Sequence, residues 1–129
     1  MDSVGVRYIV DDVAAAVSFY TERLGFAVEM DYSPGFAALS RGGLRLYLNN
    51  VGGVGGASQA MPDGRSPEPG GWNRFQLVVD DLASEVARLR AEGATFRNEI
   101  VVGIGGSQIL LEDPAGNVIE LFQPPTDGT

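Results

Sequence analysis

The stretch IVDDVAAAVSFY at residues 9–20 returns as VVDDLASEVARL at residues 78–89, 69 positions later. Val10, Asp11, Asp12, Ala14 and Val17 recur as Val79, Asp80, Asp81, Ala83 and Val86. A repeat spread across so short a chain constrains the fold more than any other feature. The molecule is two copies of one unit, and each copy must bury an apolar face. In both copies a β-rich run comes first, VGVRYIV at 4–10 and NRFQLVV at 73–79, with partial alternation of apolar residues. An Asp pair then stops the strand. Asp12 and Asp81 are read as N-caps, because a carboxylate accepts orphan backbone N–H bonds and favours the positive helix end. Capping is also the reading for their neighbours Asp11 and Asp80.

Helical spacing follows each cap, with Val13, Val17, Tyr20 and Leu24 in the first copy and Leu82, Val86 and Leu89 in the second. Gly25 and Gly93 fit as terminators. Three strands are then expected per copy: FAVEMDY, GFAALSR and LRLYLNN, then TFRNEIVV, SQILLED and NVIELFQ. Turn residues separate them, Ser33-Pro34-Gly35 and Gly42-Gly43 first, then Gly105-Gly106 and Pro114 to Asn117. Asp113, Gly116 and Asn117 are read as turn chemistry. The expected class is α+β with two βαβββ modules in a single domain, 1–129: module one 1–50, a Gly/Pro-rich loop 51–71 and module two 72–129. A loop of that length is expected to act as a linker or lid and would permit exchange of modules between chains. Its GGVGG run has neither a strand–loop–helix context nor a Walker lysine, so a phosphate cradle is set aside.

Residue types that are missing exclude much chemistry. The chain has no Cys and no His, and all nine of its cationic side chains are Arg. Thiolate nucleophiles, His-containing triads, His-ligated zinc or iron, and lysine Schiff bases are therefore excluded. Asp, Glu and Tyr remain for acid–base work. A net charge of −8 repels phosphate backbones, so nucleic acid is not an expected partner. No apolar run reaches the roughly 20 residues that cross a bilayer, and no basic segment leads an apolar one. A soluble cytoplasmic protein, with no membrane partner, is the expectation.

The stretches YIVDDVAAAVSFYTERLGF, LVVDDLASEVARLRAEGATF and LLEDPAGNVIELFQP resemble the vicinal oxygen chelate superfamily. That superfamily includes glyoxalase I, extradiol dioxygenases, fosfomycin-resistance enzymes and bleomycin-resistance proteins. The resemblance covers nearly the whole chain and is not specific to one activity. It implies two modules forming a rolled mixed β-sheet around a cavity, usually in a homodimer. Strand alternation then sorts side chains by face. Val6, Tyr8, Val10, Leu44, Leu46, Leu48, Phe75, Leu77, Val79, Ile119 and Leu121 pack against the helices. Facing inward are Gly5, Arg7, Arg45, Tyr47, Asn49, Arg74, Gln76, Val78, Val118, Glu120 and Phe122.

Metal-dependent members resemble one another in four ligands, usually two His and two Glu. Those positions fall here on Gly5, Tyr47, Arg74 and Glu120, and only Glu120 keeps a ligand type. No metal ligand set and no cofactor are expected. Arg74 is expected to take over the metal's charge by pairing with Glu120; the pair reads either as a closure of the sheet or as a polar anchor for a ligand. Arg7 and Arg45 read as partners of loops or of Glu120, or as an anion-binding pair. Phe36, Tyr47, Trp72 and Phe122 read as packing or as a stacking wall for a flat ligand.

The resulting expectation is a metal-free small-molecule binding protein that sequesters an aromatic or bulky compound such as an antibiotic. Its ligand-binding residues are Arg7, Phe36, Arg45, Tyr47, Asn49, Trp72, Arg74, Gln76, Glu120 and Phe122. The alternative is an isomerase- or lyase-type enzyme in which a desolvated Glu120 abstracts a proton and Arg74 or Arg45 steadies an oxyanion. A third reading is a metalloenzyme with oxygen ligands only.

Overall fold

The computed structural model describes residues 4–53 and 56–125; Val54 and Gly55, in the GGVGG run, lie outside the described residues. The chain divides into two compact units, residues 1–70 with 114–117 and residues 71–113 with 118–129.

In the first unit the order is β1 (Gly5–Val10), α1 (Val13–Leu24), β2 (Ala27–Tyr32), β3 (Phe36–Arg41) and β4 (Leu44–Asn50). The strands form one mixed sheet in the order β1-β4-β3-β2, with β1 parallel to β4 and the other pairs antiparallel. The Asp12 carboxylate accepts the Ala15 N–H at 3.0 Å and starts α1. Gly25 ends it at φ 72°, a left-handed conformation that costs glycine little. The helix buries Val13, Ala16, Tyr20 and Leu24. Val17 is only half-buried, and Ala16 takes its place on the packed face. Tyr20 meets Phe26 edge to face at 5.3 Å, above the buried Leu39, Leu46 and Leu48.

Two side-chain contacts in this unit show that Asn117 does more than make a turn. Its Nδ2 donates to the Ile9 carbonyl at 2.8 Å, and its Oδ1 accepts the Gly70 N–H at 2.8 Å. The residue is 4% exposed, so water cannot readily replace those bonds. Asn117→Ala is expected to cost about 2 kcal/mol, from two backbone groups left without partners. Urea unfolding tests this, and a loss under about 0.5 kcal/mol would show that the groups find other partners. The described parts of the 51–71 loop have turns of their own. Gly52 N–H bonds the Ser58 carbonyl at 2.9 Å, and Met61 N–H bonds that of Arg65 at 2.7 Å.

The second unit runs β5 (Arg74–Val78), α2 (Leu82–Ala91), β6 (Thr95–Phe96), β7 (Val101–Gly103), β8 (Gly106–Glu112) and β9 (Val118–Gln123). Its sheet order is β5-β9-β8-β6, with β7 also on β8 and β5 parallel to β9. Asp81 caps α2 through the Ser84 N–H at 3.1 Å and hydroxyl at 2.8 Å. These two bonds, the hydroxyl first, hold its carboxyl below the usual carboxylate range. Leu82, Val86 and Leu89 are the buried face of the helix, as its spacing predicts. Gly93 follows the helix at φ 88°.

One expected strand is broken in two. TFRNEIVV was expected to be continuous, yet β6 and β7 are separate. Asn98 Oδ1 accepts the Leu110 N–H at 3.0 Å. That bond takes the place of a backbone one, and pairing resumes only at Val101 with Gln108. The α+β class with mixed sheets is otherwise as expected. No helix among the described residues is long and apolar enough to cross a membrane.

Candidate functional site

In each sheet one face is apolar and packs under the helix, while the other gathers the polar and aromatic side chains. Registered partners share a face, so the pairings place these residues directly. In the first unit Gly5 lies opposite Arg45, Arg7 opposite Tyr47 and Ile9 opposite Asn49. On the other side of β4, Ser40 lies opposite Arg45, Ala38 opposite Tyr47 and Phe36 opposite Asn49. Arg7, Phe36, Arg45, Tyr47 and Asn49 therefore share one face.

The rings on this face form a row. Phe36 and Tyr47 stack with centroids 6.2 Å apart and planes 17° apart. Tyr32 extends the row, 6.5 Å from Phe36 at 16°. The Arg7 guanidinium caps the other end, 5.3 Å from the Tyr47 centroid, where the ring's quadrupole attracts a cation. Arg7 Nη1 also donates to Oδ1 of the buried Asn49 at 2.5 Å. Sequence reasoning missed Tyr32. The signal was its place at the end of β2, where the Ser33-Pro34-Gly35 turn sets it opposite Phe36.

Gly5 has a defined part in this row. A Cβ added there would overlap the Tyr47 ring at Cε2. The missing side chain is thus the space in which the ring lies. Since the overlapping atom belongs to a side chain that can swing away, Gly5→Ala is expected to cost the fold less than about 1 kcal/mol. It should nevertheless displace Tyr47 and weaken binding of an aromatic ligand by about fivefold. Thermal unfolding and titration of the same variant separate the two effects; unchanged affinity would mean that the ring position is irrelevant to binding.

The second unit places Arg74, Gln76 and Val78 opposite Val118, Glu120 and Phe122. Glu120 is buried, and both of its oxygens are used. Arg74 reaches Oε1 through Nε at 3.1 Å and Nη2 at 3.0 Å, and Gln76 Nε2 donates to Oε2 at 2.8 Å. The pairing expected of Arg74 and Glu120 is present, with both guanidinium donors on one carboxylate oxygen. Phe122 is half-buried and lies close over Gly106. Trp72 goes elsewhere. It is 69% exposed, and its ring stacks on Arg97 at 4.6 Å. Arg97 is fixed in turn by Glu112 at 2.8 Å and the Gly71 carbonyl at 2.9 Å. Sequence reasoning missed this second ion pair, because Arg97 lies in the stretch read as one straight strand.

The donor set does not suit a metal ion. Gly5 offers no ligand atom and its space holds the Tyr47 ring, while Arg74 sets a cation on the one carboxylate of the four positions. Among the described residues no group of three or more Asp or Glu could hold an ion, and a hard divalent cation wants several oxygen ligands.

No curated protein matches the chain. Solved structures do. A superfamily member from Sphaerobacter thermophilus DSM 20745 is 25% identical with a TM-score of 0.75, over 95% of this chain and 97% of that chain. TnmS3, an antibiotic binding protein from Streptomyces sp. CB03234, is 26% identical with a TM-score of 0.72, over 97% of both chains. A lactoylglutathione lyase from Agrobacterium tumefaciens shares the fold at 21% identity and a TM-score of 0.72, over 99% of this chain and 97% of that chain. The family model of the Glyoxalase/Bleomycin resistance protein/Dioxygenase superfamily matches residues 3–121. The chain belongs to that superfamily.

Proposed function

We propose that this protein binds an aromatic or bulky small molecule, such as an antibiotic, without a metal and without transforming it. The observation that carries the reading is the row Tyr32–Phe36–Tyr47 on one sheet face, capped by Arg7. The exposed Tyr32 end of the stacked row offers a ring face to a flat ligand. TnmS3, similar in fold and 26% identical, is described as an antibiotic binding protein, which favours the same class of ligand here. The enzyme alternative has less support. As a base, Glu120 would have to take its proton while its two oxygens are held by Arg74 and Gln76. A homodimer in the cytoplasm is part of this proposal, by analogy with the superfamily.

Native mass spectrometry of untagged protein, incubated with a panel of aromatic antibiotics and with metabolite extract, tests the reading. A compound retained and released at unchanged mass is expected. A compound returned with altered mass would instead make the protein an enzyme, with Glu120 the first residue to substitute.

A further inference from the structure

We infer that the ligand of the first unit's aromatic row carries an anionic group, and that Arg45 receives it. The inference rests on the binding role proposed above and adds the charge of the ligand and the residue that reads it.

Comparison of the two repeated units carries the point. In the second unit the inward cation is Arg74, and the inward acid Glu120 answers it at 3.0 Å. In the first unit the matching row, Gly5 opposite Arg45, carries its guanidinium on β4 instead: Gly5 stands at Arg74's place in the repeat and Arg45 at that of Val118. The repeat places Tyr47 where the second unit has Glu120, so the answering carboxylate is missing. Arg7, the other guanidinium on this face, is already occupied by Asn49 at 2.5 Å and by the Tyr47 ring. Arg45 is half-buried and has no polar partner among the described residues. Glu29, two strands away, is held by the Ser40 hydroxyl at 2.6 Å and makes no ion pair with Arg45. A half-buried guanidinium with no polar partner among the described residues has donors available for a carboxylate, sulfonate or phenolate.

The spacing also defines the shape of the ligand. Arg45 and Tyr47 are successive residues on one face of β4, hence about 7 Å apart along the strand. A ring lying against the half-buried Tyr47 therefore needs its anion about one ring's width away, which suits a fused two- or three-ring aromatic acid. The ion pair would form at the edge of a stacked surface, where partial desolvation strengthens it.

The test is calorimetric titration with 2-naphthoate and its neutral counterpart 2-naphthamide. The native protein is expected to prefer naphthoate by about tenfold. In Arg45→Gln the preference should fall below about twofold, with naphthamide affinity little changed. Arg45→Lys should retain part of the preference, and the unchanged naphthamide affinity of Arg45→Gln shows that its loss is not misfolding. Arg41→Gln, on the opposite face, should leave the preference intact. A preference that persists in Arg45→Gln, or equal binding of the two compounds by native protein, would overturn the assignment of Arg45 and leave the aromatic site standing. If native protein bound neither compound, the aromatic-binding reading would fall with it.

Discussion

Glu120→Ala is expected to lower the unfolding free energy by about 3 kcal/mol, because it strands a guanidinium and an amide that were built to be answered. Glu120 is buried, whereas the Arg74 side chain keeps 30% of its exposure. That residual exposure lets water recover part of Arg74's loss and holds the figure to the low end for a broken buried pair. Gln76 loses its 2.8 Å bond in the same step. Glu120→Gln, which keeps one acceptor oxygen and most of the shape, should cost about 1 kcal/mol. Replacing both members of the pair, as Arg74→Met with Glu120→Leu, is expected to come within about 1 kcal/mol of native, since no charge is then left alone. Urea unfolding of the four proteins, with the slope of the transition compared, decides among these. If Glu120→Ala and the double variant proved equally stable, the pair would be a solvated surface contact and its arrangement would carry no structural consequence.

Tyr47→Ala should be the most damaging change for binding. Tyr47 is the middle of the arrangement: Phe36 stacks on it at 6.2 Å, Arg7 caps it at 5.3 Å, and Gly5 leaves it space. Its removal takes away a stacking face and also releases Arg7, whose charge then has only Asn49. We expect a loss of about 2 kcal/mol in binding of a flat aromatic ligand, roughly 30-fold in Kd. Tyr47→Phe keeps the ring and should stay within about threefold of native. If Phe were as damaging as Ala, the hydroxyl and not the ring would be the recognition element. The two predictions are independent: one reads the stability of the second unit's polar face, the other the affinity of the first unit's aromatic face.

The sequence by itself was enough for every feature that depends on neighbours along the chain. The repeat, the Asp12 and Asp81 caps and the glycine helix ends are local, because a cap needs only the next few backbone N–H groups. Strand faces are local too, since side chains alternate whatever the sheet contains. That is why Leu46, Leu48, Phe75 and Leu77 are buried as their parity required. It is also why Arg45, Tyr47, Arg74 and Glu120 could be assigned to the opposite faces in advance. That Glu120 alone keeps a ligand type among Gly5, Tyr47, Arg74 and Glu120 was legible too, since it depends only on which residues stand there.

Only the tertiary structure decided which of those inward residues meet. Arg74 and Glu120 are 46 residues apart in sequence, and a partner of Arg45 was equally conceivable until the strand register left it with none among the described residues. Tyr32 joins the aromatic row because β2 pairs with β3 in one particular register, despite the irregularity between Val28 and Met30. Trp72 leaves the expected wall because Arg97 offers it a cation, fixed in place by Glu112 and the Gly71 carbonyl. Asn98 breaks a strand through a bond to Leu110, twelve residues on. In each case the outcome depends on which distant groups arrive within about 3–5 Å, the range over which hydrogen bonds, ion pairs and cation–π contacts act. Local periodicity sets the direction of a side chain, but the meeting of two such directions is a property of the packed sheet.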